Sequence, residues 1–562
     1  MMETATRKTM TTPPKSPSYA DIFTPKLISC FREGYTLQTL RADAIAGLTV
    51  AIVALPLSMA IAIASGVPPE RGLFTAIVGG LLISALGGSR FQIGGPTAAF
   101  IVVVFNVVQR HGYDGLALAT LMAGLLLVII GALRLGTYIK YIPYPVVTGF
   151  TSGIAVSILA SQFKDIMGLD VSLPGDFLPK MMLLVQHAGE TVPAAVLVTV
   201  LALGIIIGTK RFRPHWPGFL IAVVVASAVT YLLDLHVATI ASRFGGVPRT
   251  LPSPAMPAFD LNLVKELLPD AITIALLAGI ESLLSAVVAD GMTGRRHRSN
   301  CELVAQGVAN CASVFFGGIS ATGAIARTAT NIRSGGRTPV AGILHAVFLL
   351  LFMAVAAPLL GYIPLAALAA ILVMVAWNIS EIRHIRHILG RATMGDRFVL
   401  VSTFLLTVFV DLTVAIEFGV VAAAILFVHR MAEAVEVETH EHLIDEDEAD
   451  ILNRPDATTP GDVVVYTISG PFFFGAAQRL SSILDRIGDT PKRYILDMST
   501  VPFVDATGGS ALSSFFDTAH GRNAEVVIVG ARDHVIRDIR HLTHESALQP
   551  HFMASREEAL KL

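Results

Sequence analysis

An arginine follows a glycine-rich break in an otherwise apolar part of the sequence. The stretch reads Gly-Gly-Ile-Ser-Ala-Thr-Gly-Ala-Ile-Ala-Arg-Thr, from Gly317 to Thr328, and contains Arg327. A helix that begins at such a break presents free backbone N–H groups and the positive end of its dipole. Beside one guanidinium, these groups can bind an anion. Much earlier in the chain, Gly94-Gly95-Pro96-Thr97-Ala98 is a weaker copy of the same arrangement.

Glu281 is the second residue that can do chemistry, because it lies in the middle of an apolar run. An intramembrane carboxylate costs several kcal/mol and is a functional hypothesis by default. A low dielectric favours its protonated form, and a nearby cation favours its ionised form. Glu281 is therefore a candidate for proton coupling. The alternative is a structural pairing with Arg327 or with a backbone end. Thr97 likewise has two interpretations, a hydroxyl ligand or only a helix cap.

The composition indicates a membrane protein. Of the 562 residues, 53% are hydrophobic and 15% are charged, whereas a soluble protein carries about 25% charged residues. The apolar runs lie between residues 44 and 430, and the last hundred residues have the composition of a soluble domain. The net charge of −2 gives no sign of a nucleic-acid partner. No nucleophile–base pair, metal cluster, nucleotide loop or cysteine framework stands out, so we expect neither an enzyme nor a cofactor or metal.

The apolar runs fall into two sets of seven. Several are shorter than the roughly 20 residues of a full span, so hydropathy alone supports ten to fourteen spans. Loop charges favour fourteen, with both termini cytoplasmic, because basic residues then cluster inside. These residues are Arg90, Arg134, Lys140, Lys210, Arg211, Arg213, Arg295, Arg296, Arg298, Arg333, Arg337, Arg383, Arg386, Arg391 and Arg397. The third segment of each set is short and broken, which predicts an inverted-repeat transporter with a site at the membrane midplane.

We predict four regions along the chain. Residues 1–43 form a cytoplasmic N-terminal tail and an interfacial segment, 44–430 the transmembrane domain, 431–461 an acidic linker, and 462–562 a cytoplasmic α/β domain. In that last domain, the pattern predicts strands near Val463–Ile468, Arg493–Asp497 and Glu525–Val529, and helices near Ala476–Ile487 and Gly508–His520. Thr507, at the start of the second helix, is a candidate phosphorylation site, with an N-cap hydroxyl as the alternative.

Several motifs resemble those of the SulP anion permeases (sulfate permease, or solute carrier family 26) over nearly the whole chain. They are Leu55-Pro56, the stretches 66–74 and 88–97, 149–154 and Ala326-Arg327-Thr328. The last hundred residues resemble the STAS domain of that family, where Thr507 approximately matches the phosphoacceptor serine of anti-sigma antagonists. The resemblance implies a core and a gate built from 7+7 inverted repeats, elevator-like exchange, a homodimer and a small anionic substrate.

The resemblance also implies which residues form the site. The anion is expected between the first, third, eighth and tenth spans, with Glu281 at the coupling-ion position. The implied substrate-binding residues are Leu57, Ser58, Ile61, Thr97, Ala98, Ala326, Arg327 and Thr328. Leu57 replaces a glutamine that many members have, which removes a polar contact. The sodium-dependent bicarbonate branch has Asp in place of Glu281 and threonine in place of Ile325, so Na⁺ is less expected than H⁺.

The motif from Ala278 to Gly294 looks closest to the bacterial C4-dicarboxylic acid branch, thought to be proton-coupled. We therefore expect an inner-membrane symporter of H⁺ with dicarboxylates such as succinate or fumarate. A sulfate, bicarbonate or chloride carrier is the alternative within the family. The alternative from another class is a membrane-anchored sensor or scaffold that binds a cytoplasmic partner through the STAS domain and transports nothing.

Overall fold

The computed structural model describes residues 22–139, 143–214, 216–257, 260–433, 436–439, 463–470, 472, 492–544, 546 and 548–560. Two compact units make up the chain, residues 1–421 and 422–562. Most of the predicted acidic linker and the predicted helix Ala476–Ile487 lie outside the described residues.

The first unit is helical. Its helices are α1 (Lys26–Arg32), α2 (Leu37–Ala64), α3 (Pro69–Leu86), α4 (Ala98–Ala132), α5 (Gly136–Ile139), α6 (Tyr144–Met167), α7 (Phe177–Gln186), α8 (Pro193–Phe212), α9 (Gly218–Leu232), α10 (Ile240–Phe244), α11 (Leu261–Thr293), α12 (Ser299–Phe315), α13 (Ile325–Arg333), α14 (Val340–Leu360), α15 (Leu365–Ile379), α16 (Ile382–Arg391), α17 (Met394–Phe409) and α18 (Leu412–Glu433), the last of which continues into the second unit.

The helices account for the predicted spans. In the described part of the chain, nine helices are long and apolar enough to cross a membrane. One of them, α4, contains two predicted spans, because Gly112 interrupts it with a φ of +66°. The other four predicted spans are the shorter helices α9, α12, α13 and α17. Fourteen helical segments therefore stand at the fourteen predicted positions.

The two glycine-rich breaks meet each other in space. Strand β1 (Gly94–Gly95) pairs antiparallel with β2 (Thr322–Gly323), placing Gly94 opposite Gly323. A side chain has little room there: a Cβ on Gly94 would lie 2.3 Å from the side chain of Ile83, and one on Gly323 would lie 1.8 Å from Gln92 Nε2, so these side chains would have to shift. The sequence predicted the two breaks but not their pairing.

Buried polar side chains satisfy the irregular backbone around this pair. Asn310 Nδ2 donates to the Ala321 carbonyl at 2.8 Å, and Asn310 Oδ1 accepts from the Ala321 N–H at 2.8 Å. Thr322 Oγ1 donates to the carbonyl of Ala278 at 3.0 Å. Within a bilayer, backbone outside a helix is tolerated only where protein or a cavity satisfies it. These contacts therefore fix the backbone of the second break, to which the first is joined by the pairing of β1 with β2.

Two further buried carboxyl groups link distant segments of the chain through hydrogen bonds. Glu302 Oε2 accepts from the N–H groups of Gly88 and Ser89 at 2.9 and 3.1 Å. Asp43 Oδ1 accepts from the Thr338 N–H at 3.1 Å, and Asp43 Oδ2 accepts from the Thr338 hydroxyl at 2.6 Å. Both side chains are fully buried, and their hydrogen bonds join segments that are far apart in the sequence.

The second unit holds a five-stranded sheet in the order β3-β4-β5-β6-β7. Its strands are β3 (Glu436–Thr439), β4 (Val463–Ser469), β5 (Arg493–Asp497), β6 (Glu525–Val529) and β7 (His551–Met553), and its helices α19 (Ala506–Gly521), α20 (Asp533–Leu542) and α21 (Arg556–Leu560). Strands β4 to β7 are parallel, and β3 is antiparallel. The three strand predictions and the helix near 508–520 are confirmed; β3 and β7 were not predicted.

The start of α19 corrects one interpretation of Thr507. Asp505 holds the N-cap position and accepts from the Gly508 N–H at 2.7 Å. Thr507 is the second residue of the helix and is exposed. The N-cap interpretation of Thr507 is therefore wrong, because a carboxylate two residues earlier performs that role.

Candidate anion-binding site

A cavity of about 380 Å³ lies where the two broken helices begin. Its walls include α2, α4, α11 and α13, which are the first, third, eighth and tenth predicted spans, and α6, α9 and α15 on the other side. Six of the eight predicted substrate-binding residues line it, together with Glu281. The six are Leu57, Ile61, Thr97, Ala98, Ala326 and Arg327.

Arg327 is the cation of this cavity and is only 2% exposed. Its Nη2 donates to the Pro96 carbonyl at 2.9 Å and to Ser58 Oγ at 3.4 Å. Its Nε and Nη1 are buried and have no hydrogen-bond partner among the described residues. A buried donor without a partner costs free energy, and an ionised acceptor forms the strongest hydrogen bond with a guanidinium. Arg327 therefore has two buried donor atoms with which an anion can form hydrogen bonds.

The starts of α4 and α13 add donors to the same place. Ala98 is the first helical residue after Thr97, and α13 begins at Ile325. The first N–H groups of a helix have no partner within it, and alanine at positions 98 and 326 leaves them open to a ligand. Two positive helix ends and one guanidinium consequently face one cavity.

Glu281 lines the cavity and is paired with a hydroxyl. Thr97 Oγ1 donates to Glu281 Oε2 at 2.8 Å, and the Thr97 side chain makes no capping hydrogen bond. Within the described residues, no ion pair joins Glu281 to Arg327. The interpretation of Thr97 as a helix cap and that of Glu281 as an ion-pair partner of Arg327 are therefore wrong. Because Oε2 accepts a hydrogen bond whether or not Oε1 is protonated, both protonation states fit this arrangement.

Ser58 and Thr328 do not line the cavity. Ser58 is fully buried, and its Oγ accepts a hydrogen bond from Arg327 Nη2. Thr328 Oγ1 accepts from the Ile93 N–H at 3.1 Å and lies 3.1 Å from Ser285 Oγ, which donates to it. These two residues therefore position the guanidinium and the break around it, and do not reach the ligand space.

The remainder of the lining is mostly apolar. It includes Val50, Val53, Leu57, Ile61, Phe150, Leu277, Ile280, Leu284 and Ile325. Apolar walls lower the local dielectric and so strengthen the attraction between Arg327 and an anion. On the α15 side, sequence reasoning missed Asn378 and Glu381, which also line the cavity. Across the described residues, no cluster of three or more His, Cys, Asp or Glu side chains could hold a metal ion.

Comparison with known proteins identifies the family. Residues 40–403 match the sulfate permease family, and residues 454–559 match the STAS domain. The putative sulfate transporter YvdB of Bacillus subtilis is 41% identical over 94% of this chain and 98% of its own length. The bicarbonate transporter BicA of Picosynechococcus sp. is 32% identical over 93% of this chain and 94% of its own.

Solved structures show the same fold. Murine solute carrier 26 family member A9, an anion transporter in the inward-facing state, superposes with a TM-score of 0.84 at 20% identity, over 99% of this chain and 96% of that one. The transmembrane domain of a cyanobacterial BicA has a TM-score of 0.61 at 30% identity, over 69% of this chain and 98% of that one. The chain therefore belongs to the sulfate permease family of multi-pass membrane transporters, with a helical transport core and a C-terminal STAS domain.

Proposed function

We propose that this protein is a secondary active anion transporter in which Arg327 and two helix N-termini bind the anion and Glu281 carries a coupling proton. One observation supports this most strongly. A buried guanidinium with two unpartnered donor atoms shares a 380 Å³ cavity with a carboxylate that is not its ion-pair partner. Because Glu281 accepts its hydrogen bond from Thr97 and makes no ion pair with Arg327, the charge of the guanidinium is available for a substrate.

Charge counting explains why a proton would travel with the anion. Arg327 contributes one positive charge, and two helix N-termini contribute about half a charge each. A dianion together with a protonated Glu281 then brings the site close to neutral. Moving a nearly neutral site past apolar walls costs far less than moving a charged one. Protonation of Glu281 would therefore favour movement of the loaded core.

We place C4-dicarboxylates such as succinate and fumarate first among the substrates. The apolar residues of the lining, Leu57 among them, can contact a carbon chain while the carboxylates meet Arg327 and the helix ends. Sulfate or bicarbonate is the second candidate, because the relatives described above carry those names. Chloride is a further alternative within the family.

A competition assay would separate these substrates. Full-length protein in proteoliposomes, with an inward pH gradient, should accumulate labelled succinate, and unlabelled fumarate should compete better than sulfate, bicarbonate or chloride. Stronger competition by sulfate or bicarbonate would identify that anion as the preferred substrate instead of a dicarboxylate. If none of the anions were moved and Arg327→Ala left the cellular function intact, the sensor or scaffold alternative would stand instead.

The wider proposal concerns placement in the cell. We propose an inner-membrane homodimer with both termini cytoplasmic and an elevator-type exchange of the core against the gate, coupled to H⁺ more readily than to Na⁺. The basic residues of the even-numbered loops support the orientation. For the STAS domain we propose a cytoplasmic partner and retain Thr507, exposed at a helix start, as its candidate phosphorylation site.

A further inference from the structure

A second carboxylate lines the cavity on the wall that the mechanism above does not use. Glu381 lies between α15 and α16 and shares the cavity with Arg327 and Glu281. Its φ of +41° is in the left-handed region, which residues other than glycine rarely adopt. It holds the N-cap position of α16, yet its side chain makes no capping hydrogen bond. A strained backbone that persists beside a binding cavity points to a function for its side chain.

Two aromatic residues hold this carboxylate in place. Tyr144 Oη donates to Glu381 Oε2 at 3.2 Å, and His384 Nδ1 lies 3.4 Å from the same oxygen. The rings of Tyr144 and His384 pack edge to face, with centroids 5.6 Å apart. The Glu381 side chain is 37% exposed, so the carboxylate stays in contact with water. The charge is thus fixed in position at a wet end of the cavity.

Glu381 lies at the end of the cavity that faces the loop predicted to be cytoplasmic. It immediately precedes α16, whose Arg383 and Arg386 belong to the loop predicted to be cytoplasmic. On the same wall, Asn378 accepts from Lys210 Nζ at 3.3 Å through its Oδ1. Lys210, Arg383 and Arg386 do not line the cavity, whereas Glu381 does. An anion that leaves Arg327 toward this end therefore passes the fixed negative charge of Glu381.

We infer that Glu381 is a specificity-determining residue that weakens anion binding at the cytoplasmic end of the cavity and so promotes release. This inference rests on the proposed transport function. Repulsion is proportional to the product of the charges, so the effect on a dianion is twice the effect on a monoanion in free energy. Transport requires binding that is weak enough at the exit for the substrate to leave.

Four variants of the full-length protein test this inference. Glu381→Gln removes the charge at nearly equal size, Glu381→Asn removes it with a residue that tolerates the left-handed backbone, and Glu381→Asp keeps it. Asp396→Asn is the matched control, because Asp396 belongs to the next helix and does not line the cavity. The dissociation constants for succinate, sulfate and bicarbonate are measured by calorimetry on purified protein, and maximal uptake rates in proteoliposomes.

Both neutral variants should bind the dianions of that set about tenfold more tightly and bicarbonate about threefold more tightly, with a lower maximal uptake rate. Glu381→Asp and Asp396→Asn should stay close to the wild type. Unchanged or weaker binding in both neutral variants would overturn the inference, and so would equal tightening for dianions and monoanion. A wild-type protein that neither binds nor moves any of the anions would instead contradict the transport function, and the role of Glu381 with it.

Discussion

Gly95 leaves no room for a side chain beside the guanidinium of Arg327. An ideal Cβ on Gly95 would lie 2.5 Å from Arg327 Nη1, whereas ordinary contact begins at 3.4 Å. The φ of Gly95 is +149°, which L-residues seldom adopt. In Gly95→Ala the guanidinium has to move by about 1 Å. Because it is the end of a flexible side chain, we expect the protein to fold and the displacement to be seen as lost affinity.

The size of the loss follows from the bonds that the guanidinium makes. Its displacement disturbs the 2.9 Å hydrogen bond from Nη2 to the Pro96 carbonyl and shifts Nη1, one of the two donor atoms that we propose bind the anion. A hydrogen bond to a charged group contributes about 1.5–3 kcal/mol. Each 1.4 kcal/mol corresponds to a factor of ten, so the anion affinity should fall by about 10- to 150-fold.

The assay is the KM of succinate uptake into proteoliposomes, with Gly112→Ala as the matched control. Gly112 also has a positive φ, +66°, but nothing lies within 4 Å of its Cβ position. The control therefore also places alanine at a positive φ but without the clash, and its KM should equal that of the wild type. A wild-type KM in Gly95→Ala would refute the idea that the position of this guanidinium determines binding.

Two further predictions concern stability. Glu302→Ala leaves the N–H groups of Gly88 and Ser89 buried without their acceptor, so the free energy of unfolding should fall by about 2–5 kcal/mol. The loss should be seen as a lower Tm in detergent. A Tm equal to that of the wild type would show that these hydrogen bonds contribute nothing to stability. In the STAS domain, Asp505→Ala should cost about 1 kcal/mol because it removes the cap of α19, whereas Thr507→Ala should stay within about 0.5 kcal/mol. Thermal unfolding of the full-length protein distinguishes the two, and the reverse order would contradict the assignment of the cap.

Much of the membrane fold follows from the sequence, because bilayer thickness and loop charge constrain it strongly. The two breaks at Gly94 and Gly317 were visible since Gly-rich, short segments are rare in spans. The pairing of β1 with β2 was not, because two residues per strand carry no periodic pattern. Strand β4 was predicted from weak alternation and strands β5 and β6 from short apolar runs, whereas the four residues of β3 are too few to show alternation.

Some residues of the site could be predicted from the sequence and others could not. Arg327 and Glu281 stand out because a charge inside an apolar run is expensive, and both line the cavity. Glu302 and Glu381 were missed for opposite reasons. Glu302 accepts hydrogen bonds from backbone N–H groups more than 200 residues away in the sequence, which no local pattern reveals. Glu381 lies at the end of a span among basic residues, where a carboxylate is unremarkable until its φ is known.

The most direct test of the transport mechanism is gradient-driven uptake by Glu281→Gln. Glutamine keeps the size of the side chain and its oxygen for the 2.8 Å hydrogen bond from Thr97, but it cannot exchange a proton. In proteoliposomes with an imposed pH gradient, the variant should lose accumulation of the substrate and keep exchange of labelled for unlabelled substrate at equal pH. Full gradient-driven accumulation by Glu281→Gln would contradict the account, because the proton would then be carried elsewhere.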